Sequence, residues 1–252
     1  MDIAQRREKL KNIIAEKREV SVSELGAQFD VSGVTLRNDL IFLERKGLCK
    51  RLFGKVVACD ENSVISLDYN YQKHQEQKER IGKYAASLIK PGDSVLLYAG
   101  STTQQVARFI DPEISFIAVT NSLYIALELR NLPKAHVILL GGTMNQDICA
   151  TFGVQAIQQI REFNIDKLFT SVDGVDAKMG ITNASPFENE INQVVLECSK
   201  KIIVVADYTK VGNVSFVQMG TVDQIDMLIT DSGADPGAVE RLREAGVDVK
   251  TV

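Results

Sequence analysis

Residues 21–57, SVSELGAQFDVSGVTLRNDLIFLERKGLCKRLFGKVV, form the stretch around which the rest of the sequence can be interpreted. Ser21 and Glu24 have the S-x-x-E spacing of a capping box, in which each side chain satisfies a backbone N–H at the start of a helix. This spacing predicts a helix over 22–29. After a short turn, Ser32 is placed to cap a second helix, a contribution of about 1 kcal/mol. The stretch therefore predicts a helix-turn-helix.

The second helix has an apolar stripe and a polar outer face. Three leucines recur at the i, i+4, i+7 spacing of one helix face: Leu36, Leu40 and Leu43. Thr35, Arg37 and Asn38 consequently face outward near the beginning of the helix. In the major groove of DNA, Arg can bond bidentately to guanine and Asn to adenine. The pattern predicts a recognition helix.

A basic hairpin follows the second helix. Gly47 is placed to end that helix, and a strand-like segment around Gly54 carries three cations. Such a wing is suited to contact phosphates, which fixes orientation without reading sequence. The predicted DNA-contacting residues are Ser32, Thr35, Arg37, Asn38, Lys50, Arg51 and Lys55. The alternative is a helical hairpin whose charges are only solvated.

The positive charge is concentrated in the same part of the chain. Residues 1–57 contain 12 Lys and Arg against 8 Asp and Glu, whereas the whole 252-residue chain has a formal net charge of −4. A basic segment favours binding to an anionic polymer, and the acidic remainder disfavours nonspecific binding elsewhere. We therefore predict a DNA-binding domain over 1–57, a linker over 58–74 and a second domain over 75–252.

Several functional classes are disfavoured. The four cysteines, Cys49, Cys59, Cys149 and Cys198, are widely spaced and form no C-x-x-C pair, so we expect no metal site and no disulfide. We also expect no cofactor. His136 is expected to have a structural role in a strand. No stretch of 18 consecutive apolar residues and no signal-peptide pattern occur. The sequence predicts a cytoplasmic protein with no membrane partner.

Beyond the polar connection, a helix is predicted over 75–89, and short apolar runs then alternate with helical segments. Strands are predicted over 94–98, 116–119, 137–140, 168–172, 202–206, 227–230 and 247–250. Helices are predicted over 102–110, 122–130, 154–163, 186–199 and 236–245. This alternation is typical of parallel βαβ units. The predicted fold class is α/β, a winged helix-turn-helix followed by a Rossmann-like parallel-sheet domain.

Small and polar residues follow the predicted strands, where ligands bind in open parallel sheets. The run at 100–103 offers backbone N–H groups and hydroxyls at a helix N-terminus, a suitable cradle for phosphate. Aspartates there can bond sugar hydroxyls, and a lysine can neutralise a phosphate. The candidate effector-binding residues are Gly100, Ser101, Thr102, Thr103, Thr120, Asn121, Gly141, Gly142, Asp173, Gly174, Asp207 and Lys210.

Each of these signals has a purely structural alternative. The run at 100–103 can be only a helix cap, and Gly141 with Gly142 only a turn. Asp207 can be a strand-end turn residue, and Lys210 an exposed charge that aids solubility. The five strand ends taken together favour a ligand site.

The N-terminal motifs resemble those of the DeoR family of bacterial transcriptional regulators. The family pattern is V-S-x-x-T-[IL]-R-R-D-L-x-x-L-E-x-x-G, followed by R-x-H-G-G-A. The matching residues are Val31-Ser32, Thr35-Leu36-Arg37, Asp39-Leu40, Leu43-Glu44 and Gly47. Asn38 stands at the second arginine of the pattern, Phe53 at the wing histidine and Lys55 at the second wing glycine.

The C-terminal motifs resemble the sensor domain of the same family. They are Gly100 to Thr103, Thr120 to Ser122, Gly141-Gly142, Gly153, Asp166 to Thr182 and Ala206 to Gly212. Tyr98 stands where the family usually has an acidic residue. The resemblance implies a fold similar to that of ribose-5-phosphate isomerases and a phosphorylated sugar or related metabolite as effector.

The leading hypothesis is a ligand-responsive transcription factor, most often a repressor in this family. The alternative is a sugar-phosphate isomerase-like enzyme, for which Asp173, Asp176 and Glu190 are candidate general bases. We expect no catalytic residues, because an enzyme has no need of a winged helix. A third possibility is a winged helix that binds RNA or a protein. Because helix-turn-helix proteins commonly dimerise on paired half-sites, a homodimer is expected. The resemblance to the family admits a homotetramer as well.

Overall fold

The computed structural model describes residues 2–29, 31–45, 48–52, 54–58, 73–146, 148–186 and 189–252. The chain divides into two compact units, 1–73 and 74–252. Residues 59–72, which include Cys59 and most of the predicted linker, lie outside the described residues, so the predicted linker boundaries stay a prediction. The predicted helix end at Gly47 and the wing residue Phe53 lie outside them as well.

The first unit contains three helices and a small sheet among its described residues. The helices are α1 (Ile3–Lys17), α2 (Val22–Phe29) and α3 (Gly33–Arg45), and the strands are β1 (Glu19–Ser21), β2 (Cys49–Leu52) and β3 (Lys55–Ala58). The strand order is β1-β3-β2, with both pairs antiparallel. The predicted helix-turn-helix and hairpin are confirmed, whereas β1 was not predicted.

The apolar stripe of α3 lies at the centre of this unit. Leu36, Leu40 and Leu43 are at most 2% exposed and pack with residues of α1, including Leu10 and Ile14. The predicted capping box forms only in part. Ser21 Oγ accepts the Glu24 N–H at 3.0 Å, but the Glu24 carboxylate pairs with Lys17 instead of returning to the backbone.

A seven-stranded parallel sheet lies at the centre of the second unit. Its strands are β4 (Ser94–Leu97), β5 (Phe116–Thr120), β6 (Ala135–Leu139), β9 (Lys167–Thr170), β12 (Ile202–Val205), β14 (Met227–Thr230) and β15 (Asp248–Thr251). Their order in the sheet is β15-β14-β12-β9-β4-β5-β6. All seven predicted strands are confirmed, with ends that differ by at most two residues. His136 is the second residue of β6 and is exposed.

Helices cover both faces of this sheet. One face packs against α4 (Gln75–Ala86), α5 (Ser101–Arg108) and α6 (Leu123–Leu129), and the other against α7 (Val154–Ile160), α8 (Asn189–Glu197) and α9 (Pro236–Glu244). Five of these helices are one to three residues shorter than predicted, and the predicted start of α8 lies next to residues 187 and 188, which are outside the described residues. Both faces are apolar, as expected for a parallel sheet buried on two sides.

Two small antiparallel elements were not predicted. One is the hairpin of β7 (Thr143–Asn145) and β8 (Ala150–Phe152), and the other is a three-stranded sheet of β10 (Gly174–Asp176), β11 (Gly180–Asn183) and β13 (Val217–Gly220). Their strands are three or four residues long, too short to show an alternating pattern in the sequence. The three-stranded sheet starts immediately after Asp173, so it borders the candidate effector site.

Candidate DNA-binding surface and effector site

The start of α3 is fixed by its cap. Ser32 Oγ accepts the Thr35 N–H at 3.2 Å and lies 2.8 Å from the Thr35 hydroxyl. Thr35 is consequently half-buried, and its hydroxyl already has a partner. Arg37 and Asn38 are exposed and lie outside the leucine stripe of α3. The two side chains with base-reading chemistry are therefore accessible on a helix whose other face is locked in the core.

A buried ion cluster also holds α3 against α1. The Asp39 carboxylate is 2% exposed and accepts Arg6 Nε at 2.6 Å and Arg7 Nε at 2.8 Å. Arg7 also stacks on Phe42, with its guanidinium carbon 3.8 Å from the ring centroid. Burial by itself raises the pKa of the Asp39 carboxyl, but the two arginine hydrogen bonds outweigh it and lower the pKa below its ordinary value. Asp39 is therefore ionised at neutral pH.

The predicted wing is the antiparallel pair β2 and β3. Gly54 occupies the connecting turn with φ +76°, a conformation that favours glycine. Lys55 Nζ lies 2.8 Å from Glu19 Oε1 on β1, and both side chains are exposed. Lys50 and Arg51 belong to β2, but their side chains are outside the part of the chain that the structure describes. Of the three residues predicted to contact phosphates, Lys55 is the one whose side chain the structure describes, and it is paired with the Glu19 carboxylate.

In the second unit, the strand order reverses between the neighbours β4 and β9. The chain continues from β4 to β5 and β6 toward one edge of the sheet, and from β9 to β12, β14 and β15 toward the other edge. Such a switch point opens a crevice beyond the carboxyl ends of the strands, where α/β proteins bind ligands. Gly100 follows β4 and Ser171 follows β9. A Cβ at Gly100 would lie 2.5 Å from Ser171 Cβ, so the two loops meet closely enough to require glycine. The predicted glycine loop therefore lies at the switch point.

The hydroxyls after Gly100 are less available than predicted. Ser101, Thr102 and Thr103 are 8%, 4% and 0% exposed. Ser171 Oγ accepts the Thr103 N–H at 3.0 Å and lies 2.8 Å from the Thr103 hydroxyl. Thr103 therefore braces the loop, and its N–H is already bonded.

Thr120 and Asn121, at the end of β5, are fully buried. Asn121 Oδ1 accepts the Ala99 N–H at 3.0 Å, and its amide donates to the Thr151 carbonyl at 3.2 Å. The Thr120 hydroxyl donates to the Leu97 carbonyl at 2.7 Å. These two side chains hold the loop after β4 in place from the neighbouring strand.

Gly141 and Gly142 form the exposed turn between β6 and β7. The Gly141 N–H donates to Gln159 Oε1 at 3.1 Å. Gly142 has φ +146°, and a Cβ there would collide with the Phe152 carbonyl oxygen. The need for glycine at 142 is thus explained by the hairpin alone.

Asp173 and Lys210 are brought together from two different loops. Lys210 Nζ lies 3.8 Å from Asp173 Oδ1, and the two side chains are 26% and 41% exposed. Asp173 Oδ2 also accepts the Ala184 N–H at 2.9 Å. Asp207 is 3% exposed and caps the turn Tyr208–Lys210 by accepting the Thr209 N–H at 3.1 Å. Asp207 therefore acts as a strand-end turn residue, the structural alternative given above, and the turn positions Lys210. At Gly174 the absence of a side chain lets the backbone of Asn213 approach closely.

Three polar features of these sites were not predicted. Ser171 joins the loops of the switch point, but the predicted strand 168–172 included it, so it was not considered as a strand-end residue. Asp39 occupies the leucine stripe of α3, and an acidic residue on an apolar face indicates a buried partner. The Tyr98 hydroxyl donates to Asn192 Oδ1 at 2.9 Å, in the core; no sequence signal links these two residues.

The described residues contain no group of three or more His, Cys, Asp or Glu side chains that could hold a metal ion. None of their helices is long and apolar enough to cross a membrane.

Both parts of the chain are similar to known proteins. Residues 6–62 match the family model of the DeoR-like helix-turn-helix domain, and residues 73–232 match that of the DeoR C terminal sensor domain. The chain is 32% identical over 98% of its length to a putative aga operon transcriptional repressor of Escherichia coli O157:H7, of which 93% is covered. It is 30% identical over 98% of its length to the HTH-type transcriptional regulator GolR of Listeria innocua, of which 97% is covered.

The solved structures that the chain resembles include a ribose 5-phosphate isomerase from Methanocaldococcus jannaschii. The two chains are 16% identical, 55% of each is covered, and the TM-score is 0.41. A likeness at this level adds nothing to the assignment. The two family models together span most of the chain, and the curated relatives match it over nearly their whole length. The chain therefore belongs to the DeoR family of DNA-binding transcriptional regulators.

Proposed function

We propose that this regulator represses a carbohydrate-utilisation operon and that a phosphorylated sugar or sugar derivative changes its affinity for the operator. Two relatives named as repressors, the aga operon protein and GlcR of Bacillus subtilis, support repression. The observation that carries the DNA-binding part is the exposed pair Arg37 and Asn38 on a helix whose leucine stripe is buried. The family resemblance supports the class of effector.

The base-reading role is tested by Arg37→Ala. The preferred duplex is first selected from a random library with the wild-type protein, and affinity is then measured by fluorescence anisotropy. Loss of a bidentate base contact is expected to cost about 1–3 kcal/mol and to relax base choice at one position. Arg241→Ala is the matched control, because it removes an exposed arginine from α9 in the other unit. Unchanged specific affinity in Arg37→Ala would refute the recognition helix.

The phosphate-contacting role is tested by Lys55→Ala. An exposed ion pair such as Lys55 with Glu19 contributes at most about 1 kcal/mol, so the lysine can exchange its carboxylate for a phosphate. The variant is expected to bind all duplexes more weakly by a similar factor and to show a shallower salt dependence. A loss confined to the selected duplex would contradict this role.

For the effector, we propose that the phosphate lies over Gly100 to Thr102 with Lys210 nearby, and that sugar hydroxyls contact Asp173. The pairing of Lys210 with Asp173 at 3.8 Å supports this, because a partly exposed pair is weak enough for a phosphate to replace the carboxylate. Thr103 and Asn121 shape the site in this proposal, since their polar groups are already bonded.

A route for the response runs through α5, whose first turn borders the proposed phosphate. Gly82 of α4 packs so closely on α5 that a Cβ would lie 2.7 Å from the Gln105 backbone. A shift of α5 would therefore displace α4, the first helix of the sensor unit. The effector must bind the two DNA-affinity states unequally, and about 1.4–2.7 kcal/mol of coupling gives a ten- to hundredfold change in operator affinity.

The site is tested by measuring operator affinity with and without a panel of pentose and hexose phosphates. Lys210→Ala is expected to abolish the response to an active compound while leaving DNA binding in its absence unchanged. Lys178→Ala is the control, since it removes an exposed lysine from the neighbouring turn between β10 and β11. A wild-type response in Lys210→Ala would place the effector elsewhere.

We infer that the chain is not an enzyme. The family membership supports this, and so do the surroundings of the carboxylates considered as bases. Asp176 Oδ1 accepts the N–H groups of Lys178 and Met179, which assigns it to a turn. Glu190 is exposed in a groove between α7 and α8. Product analysis after incubation with the same sugar phosphates tests this point, and any isomerised product contradicts it.

We also propose that the chain acts as a homodimer or homotetramer. A single recognition helix gives limited specificity, and two copies related by a two-fold axis can read two half-sites. Sedimentation velocity at micromolar concentration is expected to show a species of at least two chains. A monomer with and without DNA contradicts this proposal.

A further inference from the structure

The outer side of β6 has backbone groups available for a further strand. β6 is an edge strand of the parallel sheet and pairs with β5 in the register Thr120↔Leu139. The Leu140 N–H donates to the Thr120 carbonyl at 2.8 Å, so residues 136, 138 and 140 direct their backbone groups toward β5. Val137 and Leu139 therefore direct theirs outward, and no described strand pairs with that side.

The two edges of the sheet differ in how they are protected. Edge strands of monomeric proteins commonly carry charged residues that discourage pairing with another chain. β15, at the opposite edge, carries Asp248 and Lys250, which form an ion pair at 2.9 Å. β6 has the sequence AHVIL, with no Lys, Arg, Asp or Glu. The β6 edge therefore has the composition of a strand that is paired.

Apolar side chains next to this edge are exposed to solvent. Leu139 is 45% exposed and lies on the same sheet face as Ala135 and Val137, which pack against the core under α6. Leu127 on α6 is 52% exposed. Both leucines stand where a neighbouring sheet would cover them.

We propose that two copies of this chain associate by antiparallel pairing of their β6 strands, with Val137 on the two-fold axis. In this register Val137 exchanges two hydrogen bonds with its counterpart, and each Leu139 N–H donates to the Ala135 carbonyl of the other copy. The two sheets then continue as one, with the leucines of both copies on the same face. An uncharged edge is self-complementary, and this favours a second copy as the partner.

The choice of a second copy rests on the proposed function, in which a dimer reads two half-sites. The interface itself is tested in the full-length protein by Val137→Pro. Proline removes an outward N–H but no bond to β5, and edge strands tolerate proline at such positions. Thr251→Pro is the matched control, because Val252 donates to the Thr230 carbonyl and residue 251 thus faces outward at the β15 edge.

Self-association is measured by sedimentation velocity over a concentration series, with circular dichroism to check folding. Val137→Pro is expected to raise the dimer dissociation constant about ten- to hundredfold, because both copies lose a donor, whereas Thr251→Pro leaves it unchanged. If the wild type associates and the two variants dissociate equally, the β6 interface is wrong while the proposed oligomer stands. If the wild type is a monomer, the proposed oligomer fails and the interface with it.

A second measurement does not depend on proline. In the proposed register the two Val137 Cα atoms are about 5.5 Å apart, a separation that a disulfide spans. Val137→Cys is expected to give a covalent dimer on mild oxidation, in higher yield than Thr251→Cys with the same native cysteines. Equal yields would overturn the interface.

Discussion

Replacing Asp39 by Asn tests whether the buried ion cluster holds the recognition helix in place. The substitution preserves the size of the side chain but removes the charge that faces Arg6 and Arg7. Removing one partner of a buried ion pair costs about 3–5 kcal/mol, and a hydrogen bond to a charged group contributes about 1.5–3 kcal/mol. The Arg7 side chain is 28% exposed and can be hydrated again, whereas that of Arg6 is 10% exposed. We therefore expect a loss of about 3 kcal/mol.

The loss should appear in the first unit of the chain. Hydrogen exchange followed by mass spectrometry gives the protection of peptides from α1 and α3 separately. A loss of about 3 kcal/mol corresponds to a decrease in protection of roughly a hundredfold. Glu8→Gln is the matched control, because Glu8 pairs with Lys11 on the surface of α1, the helix that carries Arg6 and Arg7. Exposed pairs of this kind contribute about 0.5 kcal/mol or less.

Acid should reproduce part of the effect. The folded-state pKa of Asp39 is lowered, so the unfolded state binds the proton more tightly. The stabilisation is therefore complete above the ordinary carboxyl pKa of about 3.9 and is lost as pH falls through the folded-state pKa. Below about pH 4 the wild type should lose protection faster than Asp39→Asn. If Asp39→Asn differs from the wild type no more than Glu8→Gln does, the cluster does not hold α3.

Two further predictions concern the stability of the sensor unit, one for the close packing at Gly82 and one for the lowered pKa of Asp166. Gly82→Ala is expected to lower the free energy of unfolding by about 1–3 kcal/mol in urea titrations, because the new Cβ would lie 2.7 Å from a backbone carbon of α5; Gly33→Ala, with no described atom within 4 Å, should be neutral or slightly stabilising. Hydrogen bonds from Lys200 and then from the Ser94 backbone and hydroxyl hold the pKa of Asp166 well below its ordinary value. Asp166→Asn should therefore reduce the dependence of stability on pH below about pH 4, measured by thermal unfolding across pH 2 to 6.

Local patterns in the sequence were sufficient for α2, α3, the wing hairpin and the strands and helices of the parallel-sheet domain, but not for β1 or the short antiparallel strands. The leucine stripe at 36, 40 and 43 predicted the buried face of α3, and apolar runs such as 202–206 predicted the central strands. These signals arise from residues close together in the chain, since helix and strand periodicities are set by local geometry. The family resemblance extended the prediction to the DNA-binding half and the sensor half, and both assignments are confirmed.

The partners of polar side chains were decided only by the tertiary structure. Asp39 meets Arg6 and Arg7 across 33 and 32 positions, and Tyr98 meets Asn192 across 94. The position of Asp39 on an apolar face indicates a buried partner, but no periodicity links it to Arg6 and Arg7, or Tyr98 to Asn192, so these pairings could not be predicted.

The same limit applies to the candidate effector site. The sequence placed Gly100, Asn121 and Asp173 at strand ends, but it did not distinguish side chains that hold the loops from those open to a ligand. Asn121 is bonded to Ala99, whereas Asp173 and Lys210 remain partly exposed. Exposure and hydrogen-bond saturation depend on how separate loops meet at the switch point, and that meeting is fixed by the order of the strands in the sheet rather than by any local run of residues.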